Sequence, residues 1–387
     1  MSTLHDLLEH YVSDGWTPGA VGLIARGDQV EVAAVGSLDV EGTAPMARDS
    51  IFRIASITKP VVAAAVMMLV DEGLIGLHEP VERLLPELAK PMVVRTPESP
   101  VDDLVPAARP ITVEDLLTSR AGYGFPSDFS LPQVQELFTV QKDGRDPQSF
   151  PAPDEWMAAL ARIPLLYQPG EAWLYGTCSD IQGVLIARAT GRPLHAFMAE
   201  RIFEPLGMTD TGFAVPADRR DRFAAYYQVD GAGGLELVDG PEGRWSSLPA
   251  FPSGGGGLAS TADDWLAFGR MLLAGGTAAD GRRLLSPESV RLMTTDHLTD
   301  VQRTVGALFL EGQGWGYGAS VDIAPLAPWS VPGRYGWVGG TGTTAHIIPS
   351  TDTVAILLTQ RGMESPLPNA LQRDFWQHAA THGVLPD

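Results

Sequence analysis

The chain has 387 residues, a formal net charge of −20 and one cysteine, Cys178. That length suits one large two-lobed domain or two domains. So acidic a surface repels phosphate backbones and anionic membranes, and a lone cysteine excludes an internal disulfide and a cysteine-based zinc cluster. The opening text, MSTLHDLLEHYVSDGW, carries acids and histidines instead of a basic stretch followed by an apolar one. It does not read as a signal peptide, so a cytoplasmic protein is expected. The longest apolar run, Pro60 to Val70, is too short to span a bilayer.

In chain order, residues 3–14 have helical spacing, with Leu4, Leu7, Leu8 and Tyr11 on one face. Ala20–Arg26 and Val30–Val35 read as strands joined by a turn at Gly27-Asp28. A buried helix follows Ser56 and ends near Gly73. Residues 75–110 are loop-rich. Thr112 and Asp115 bracket a capping-box pattern that opens a short helix. Residues 124–153 read as a long polar, proline-rich stretch, and helical periodicity returns at 154–163 and 178–203. A glycine run near 254 precedes a helix capped at Ser260 or Thr261. Strand-like segments then lead to a final helix at roughly 367–382. Strands at both ends and helices between them imply a sheet built from the two termini with a helical insertion. The expected class is α/β (α+β): an antiparallel sheet flanked by helices, plus a mostly helical lobe. The expected division is 1–62, 63–249 and 250–387, with the middle part forming the helical lobe.

Only three lysines occur, Lys59, Lys90 and Lys142. Lys59 lies three residues after Ser56, where the apolar run begins. In a helix, positions i and i+3 share a face, so both side chains can enter one pocket. Serine is a weak nucleophile at neutral pH and needs an adjacent base. A lysine in apolar surroundings is pushed toward its neutral form and can serve as that base. Pro60 is tolerated only in a first helical turn, which puts both residues at the helix mouth. There, unpaired N–H groups suit an oxyanion. On these two residues alone, a serine N-cap followed by a chance lysine is an equal reading.

Further text agrees with the chemical reading. Glu72–Val81 is EGLIGLHEPV, Leu116–Gly124 is LLTSRAGYG, and Pro169–Leu194 begins PGEAWLYGTCSD. IFEPLGMTDTGF at Ile202–Phe213 and GGGGLASTADDWLAFGRMLLAGG at Gly254–Gly276 follow. In this order the chain resembles the serine β-lactamase-like family, which includes class C β-lactamases, D,D-peptidases and family VIII carboxylesterases. The resemblance implies Ser56 as nucleophile and Lys59 as its base or proton shuttle. It implies Tyr175, in Tyr175-Gly176-Thr177, as the phenol that relays protons to the leaving group and from water. Thr177 stands where the family has asparagine, which weakens the usual amide contact to substrate. The family's Lys-Thr-Gly strand aligns with Trp337-Val338-Gly339, which the resemblance implies as substrate-binding residues, so a cation that attracts a drug carboxylate is replaced by an indole, as in the carboxylesterases. Arg334 and Arg361 are the nearby residues that could restore a cation. The oxyanion hole implied by the resemblance is the backbone N–H of Ser56 and of Gly340. Tyr123 matches a tyrosine that lines the site in esterase members; a core aromatic is the equal alternative. Asp180 reads first as a helix cap.

Other signals carry less. The Gly-x-Ser-x-Gly elbow is absent, and the glycine-rich GWGYG and GGGG do not open a helix in a βαβ setting. His378 and His382 lack a third ligand and read as surface residues. His346 reads as a structural histidine in a strand and Cys178 as a packed thiol. No metal or other cofactor is expected. The expected activity is hydrolysis of carboxylic esters through an acyl-serine. The partner would be a small-molecule ester or amide, with neither nucleic acid nor membrane involved. A β-lactamase or D,D-peptidase, an acyltransferase of the same fold, and a non-catalytic binding protein are the rivals.

Overall fold

Small and β-branched residues in GAVGLIAR form β1 (Gly19–Arg26), and QVEVAAVG forms β2 (Gln29–Gly36); Gly27, at positive φ, turns the chain between them. The computed structural model, which describes residues 3–142 and 146–381, adds five strands from the C-terminal part of the chain. These are β3 (Gly314–Trp315), β4 (Ser320–Val321), β5 (Tyr335–Gly339), β6 (Thr343–Ile348) and β7 (Thr353–Thr359). The sheet order is β2-β1-β7-β6-β5-β4-β3, and all neighbours are antiparallel. Leu23 faces Ile356 across β1 and β7, which joins the two ends of the chain. β1 is buried along nearly its whole length because it is central, whereas β2, at the edge, begins with exposed residues.

One face of the sheet is covered by α1 (Leu4–Ser13) and the C-terminal helix Ala370–Thr381, through Leu4, Leu8, Leu371 and Phe375. The opposite face carries the larger core, which continues through α2 (Lys59–Asp71) into the helical lobe. α2 is buried from Lys59 through Leu69, so it is a core helix with no solvent face in that span. Among the described residues, no helix is long and apolar enough to cross a membrane.

The structure differs from the sequence reading in four places. The stretch 124–153 contains α3 (Pro132–Gln141), with Pro132 in its first turn and Val134, Leu137 and Gln141 buried. Its buried face includes the polar Gln133 and Gln141 while the apolar Phe138 and Val140 lie off it, which hid the period. The helical text at 178–203 is broken: α4 (Thr177–Thr190) stops at Gly191 in the left-handed conformation, and helix resumes at Leu194 after Pro193. The loop-rich 75–110 stretch holds a short hairpin, Met92–Val94 with Leu104–Pro106. His378 is buried on the C-terminal helix instead of lying at the surface, while His382 falls outside the described residues.

Candidate active site

The segment that carries Ser56 is clamped before the helix begins. Phe52–Arg53 pairs with Ala259–Ser260. The carbonyls of Arg53 and Ile54 accept hydrogen bonds from Thr341 Oγ1 (2.6 Å) and Thr343 Oγ1 (2.9 Å), which tie the β5–β6 turn to this segment. Ala55 has φ 44°, a left-handed conformation that costs a side-chain-bearing residue of order 1–3 kcal/mol and clusters at functional sites. One 3₁₀ turn, Ala55–Thr58, follows, and Lys59 opens α2 with Pro60 in its first turn. The chain therefore reverses sharply at Ala55 and presents Ser56 at the helix mouth.

Lys59 is 4% exposed. Its Nζ donates to Ser56 Oγ (2.9 Å) and to the Gly255 carbonyl (2.5 Å). Gly255 is held in turn by Asp180, which is buried and accepts from the Gly255 N–H (3.0 Å), Ser253 Oγ (2.6 Å) and Gln141 Nε2 (2.6 Å). Asp180 is thus not a cap; α4 starts from Gly176, without a side-chain cap. Instead, Asp180 ties α4, the glycine loop and α3 together around the acceptor of Lys59. A Cβ on Gly255 would come 2.8 Å from the Asp180 carboxylate, so glycine is what permits the approach.

Tyr175 is fixed by paired backbone hydrogen bonds with Phe125, both 2.9 Å, after which Gly176 turns at φ 99° into α4. The phenol ring stacks on Phe309 (4.7 Å between centroids) and lies 5.6 Å from Trp337, with Lys59 Nζ 4.9 Å from its centre. Trp337 Nε1 donates to Tyr175 Oη at 2.8 Å. The indole that replaces a lysine is therefore a hydrogen-bond donor to the phenol as well as an apolar wall. Behind it, Thr344 Oγ1 donates to the Trp337 carbonyl (3.2 Å), and Thr344 is itself contacted by Trp376 Nε1 and His346 Nδ1. Burial, and then the neighbouring Arg334, hold His346 well below its ordinary pKa, in keeping with a structural histidine.

Ser56, Lys59, Tyr175, Trp337, Val338 and Gly340 line one cavity of about 300 Å³. Phe125, Phe129, Phe138 and Phe309 form its other end. The first three of these rings contact one another edge-on or tilted, and Phe129 meets Phe309 at 6.0 Å. Among the described residues lining the cavity, Lys59 is the only basic side chain. Arg334 is buried in an ion pair with Asp322, and Arg361 pairs with Glu364 and lies over Trp16, so neither restores a positive charge there.

Three residues expected in the substrate site lie elsewhere. Tyr123 is buried and its hydroxyl donates to the Ile163 carbonyl (3.0 Å); burial raises its phenol pKa, so it is a core aromatic. Thr177 is fully buried at the start of α4 and does not reach the cavity. Gly339 sits behind the cavity, where a Cβ would lie 2.6 Å from the Ile54 carbonyl, so it permits close approach to the segment that carries Ser56. The Gly340 carbonyl accepts from the Met363 N–H (2.9 Å). Cys178 is buried, with burial pushing its thiol up to about 12, and it packs as an inert thiol.

The Beta-lactamase family profile matches residues 4–375. The chain belongs to that family. Within it, the chain is 42% identical over 356 residues to Protein Rv1367c of Mycobacterium tuberculosis, covering 89% of this chain and 86% of the relative. It is 33% identical over 377 residues to Esterase EstB of Burkholderia gladioli, covering 92% and 89%. Among solved structures, EstCE1, described as a hydrolase with promiscuous acyltransferase activity, superposes with a TM-score of 0.80 at 24% identity, over 97% of this chain and 96% of that one. The last likeness shows the β-lactamase and transpeptidase-type fold. Family and relatives together make this a serine-hydrolase-type enzyme.

Proposed function

We propose that the protein hydrolyses uncharged carboxylic esters through an acyl-serine at Ser56. Ser56 Oγ attacks the ester carbonyl as its proton passes to the Lys59 amine, reversing the 2.9 Å contact between them. The Gly255 carbonyl takes another amine hydrogen, which leaves the lone pair directed at Ser56. The backbone N–H groups of Ser56 and Gly340 are assigned to the oxyanion. As the carbon–oxygen bond breaks, the Tyr175 hydroxyl gives its proton to the departing alkoxide. The resulting phenolate is stabilised by the Trp337 Nε1–H and by the Lys59 ammonium near its ring. The phenolate then takes a proton from water and the hydroxide attacks the acyl group. Ser56 departs with the proton held by Lys59, and all three groups return to their starting state.

The observation that carries the ester reading is Trp337. It supplies a donor to Tyr175 in the place where a cation would hold an anionic lactam, and among the described residues lining the cavity Lys59 is the only basic side chain. The esterase relative from Burkholderia gladioli supports the same reading. The partner is a small uncharged ester. The test compares turnover of p-nitrophenyl acetate and a chromogenic cephalosporin by the wild-type enzyme and Ser56→Ala. Wild-type turnover of the ester far above that of the cephalosporin, lost in Ser56→Ala, is expected. Full ester turnover by Ser56→Ala would remove the mechanism.

A further inference from the structure

A second cavity, of about 210 Å³, lies along the same strand as the first. Phe309, Trp337 and Val338 line both cavities. The space exists because of strand length. β4 has two residues, and they pair only with Tyr335 and Gly336 of β5. Beyond Gly336 the antiparallel register would call on Ala319 and Gly318, which do not pair with β5; the Gly318 N–H donates instead to the Leu117 carbonyl. The flank of Trp337 and Val338 is left open to a pocket instead of being covered by strand.

The lining defines what fits. Its charged groups are already neutralised in place: Arg334 with Asp322 (2.9 Å), and Arg373 with Glu311 (2.8 Å). Each of these guanidiniums also lies over an indole, Arg334 over Trp376 and Arg373 over Trp329. The two indoles are 6.2 Å apart. At the mouth, Leu326 is 60% exposed. A charged ligand would have to break an ion pair, whereas an uncharged ring gains stacking and apolar burial.

We infer that this cavity receives the alcohol half of the ester, an uncharged ring-bearing group, while the acyl half lies against the phenylalanine wall of the first cavity. The direction follows from Tyr175. If its phenol protonates the departing oxygen, that oxygen lies beside the indole N–H of Trp337, and Trp337 forms the shared wall. A large leaving group continues past it. This inference rests on the ester-hydrolase reading above.

The test uses two acetates with similarly basic leaving alcohols, ethyl acetate and 2-(2-naphthyl)ethyl acetate. Ala327→Trp fills the second cavity from a position outside the first. It is expected to raise KM for the naphthyl ester at least tenfold relative to ethyl acetate. Trp329→Ala, which removes one ring face and adds no bulk, is expected to raise the same ratio about threefold to tenfold. Independently of turnover, 2-(2-naphthyl)ethanol should bind the Ser56→Ala protein, measured by calorimetry, and bind at least tenfold more weakly once Ala327→Trp is added. Equal shifts for both esters, or none, overturn the inference while leaving ester hydrolysis intact. If the wild-type enzyme hydrolyses neither ester but naphthylethanol binds in an Ala327-dependent way, the ester reading fails and the cavity stands as a ring-binding site.

Discussion

The two ends of the catalytic cavity are built on different principles. At the polar end, hydrogen bonds of 2.8–2.9 Å join Ser56 to Lys59 and Tyr175 to Trp337, while Asp180 holds the glycine loop and Thr341 and Thr343 hold the segment before Ser56. At the other end, Phe125, Phe129, Phe138 and Phe309 meet one another through ring contacts, and three of them come from the segment 124–153 that includes α3. Directional bonds hold atoms to a fraction of an ångström, which proton transfer needs. Ring packing tolerates substitution at small cost, which suits a surface that sorts substrates by size. Chemistry and selectivity should therefore separate under mutation.

The largest expected effect is at the polar end. Lys59→Met keeps the stem and removes the amine, and kcat for p-nitrophenyl acetate should fall about 10²–10⁴-fold with KM little changed. Steady-state kinetics check this; a fall below tenfold would make Tyr175, not Lys59, the principal base. Next is Trp337→Phe, which keeps an aromatic wall but removes the donor to Tyr175. Loss of one such hydrogen bond should lower kcat about threefold to tenfold. If KM alone changed, Trp337 would belong to the sorting surface and the comparison would blur.

At the apolar end, Phe138→Ala should leave kcat for acetate esters nearly unchanged and raise KM for octanoate esters about tenfold, the value of a half-buried ring lost from the wall. A matching loss on both substrates would show that the rings also position the catalytic groups. The smallest effect on turnover lies outside both ends. Burial raises the Asp264 carboxyl to about 6, above its ordinary 3.8, although Thr211 and the Asp210 N–H donate to it. A raised carboxyl stabilises the fold fully below about pH 4, and that stabilisation is lost as pH rises through about 6. In Asp264→Asn this loss should vanish, so that the variant gains at most about 3 kcal/mol on the wild type between pH 4 and pH 7 in urea denaturation. The ratio of octanoate to acetate turnover should not move.

How much of this was legible in the sequence follows from how local each feature is. Ser56 and Lys59 are three residues apart, so spacing allowed them one pocket, and motif order favoured that reading and added Tyr175 and Trp337. The partners of Asp180 lie 39, 73 and 75 residues away, and no local pattern connects them. A buried Asp five residues after Tyr175 was visible in the text, but it looks like any acid in a first helical turn. Tyr123 was expected at the site from its match to a tyrosine of esterase members, with a core aromatic as the equal alternative, and the core reading is the one that holds. Gly122 and Gly124 adopt φ of 91° and 138° and reorient the chain, so Phe125 lines the cavity and Tyr123 enters the core. The donor role of Trp337 required the register of β5 against β6, which places Trp337 opposite Ala345 and which residue types do not encode.

The central claim is that Ser56, set at the mouth of α2 and served by Lys59, is the nucleophile. Treating the protein with a fluorophosphonate and mapping the adduct by peptide mass spectrometry tests it most directly. The expected result is a single adduct on the peptide that contains Ser56, absent in Ser56→Ala and forming at least tenfold more slowly in Lys59→Met. An adduct on another residue, or no adduct on a protein that still hydrolyses esters, would contradict it.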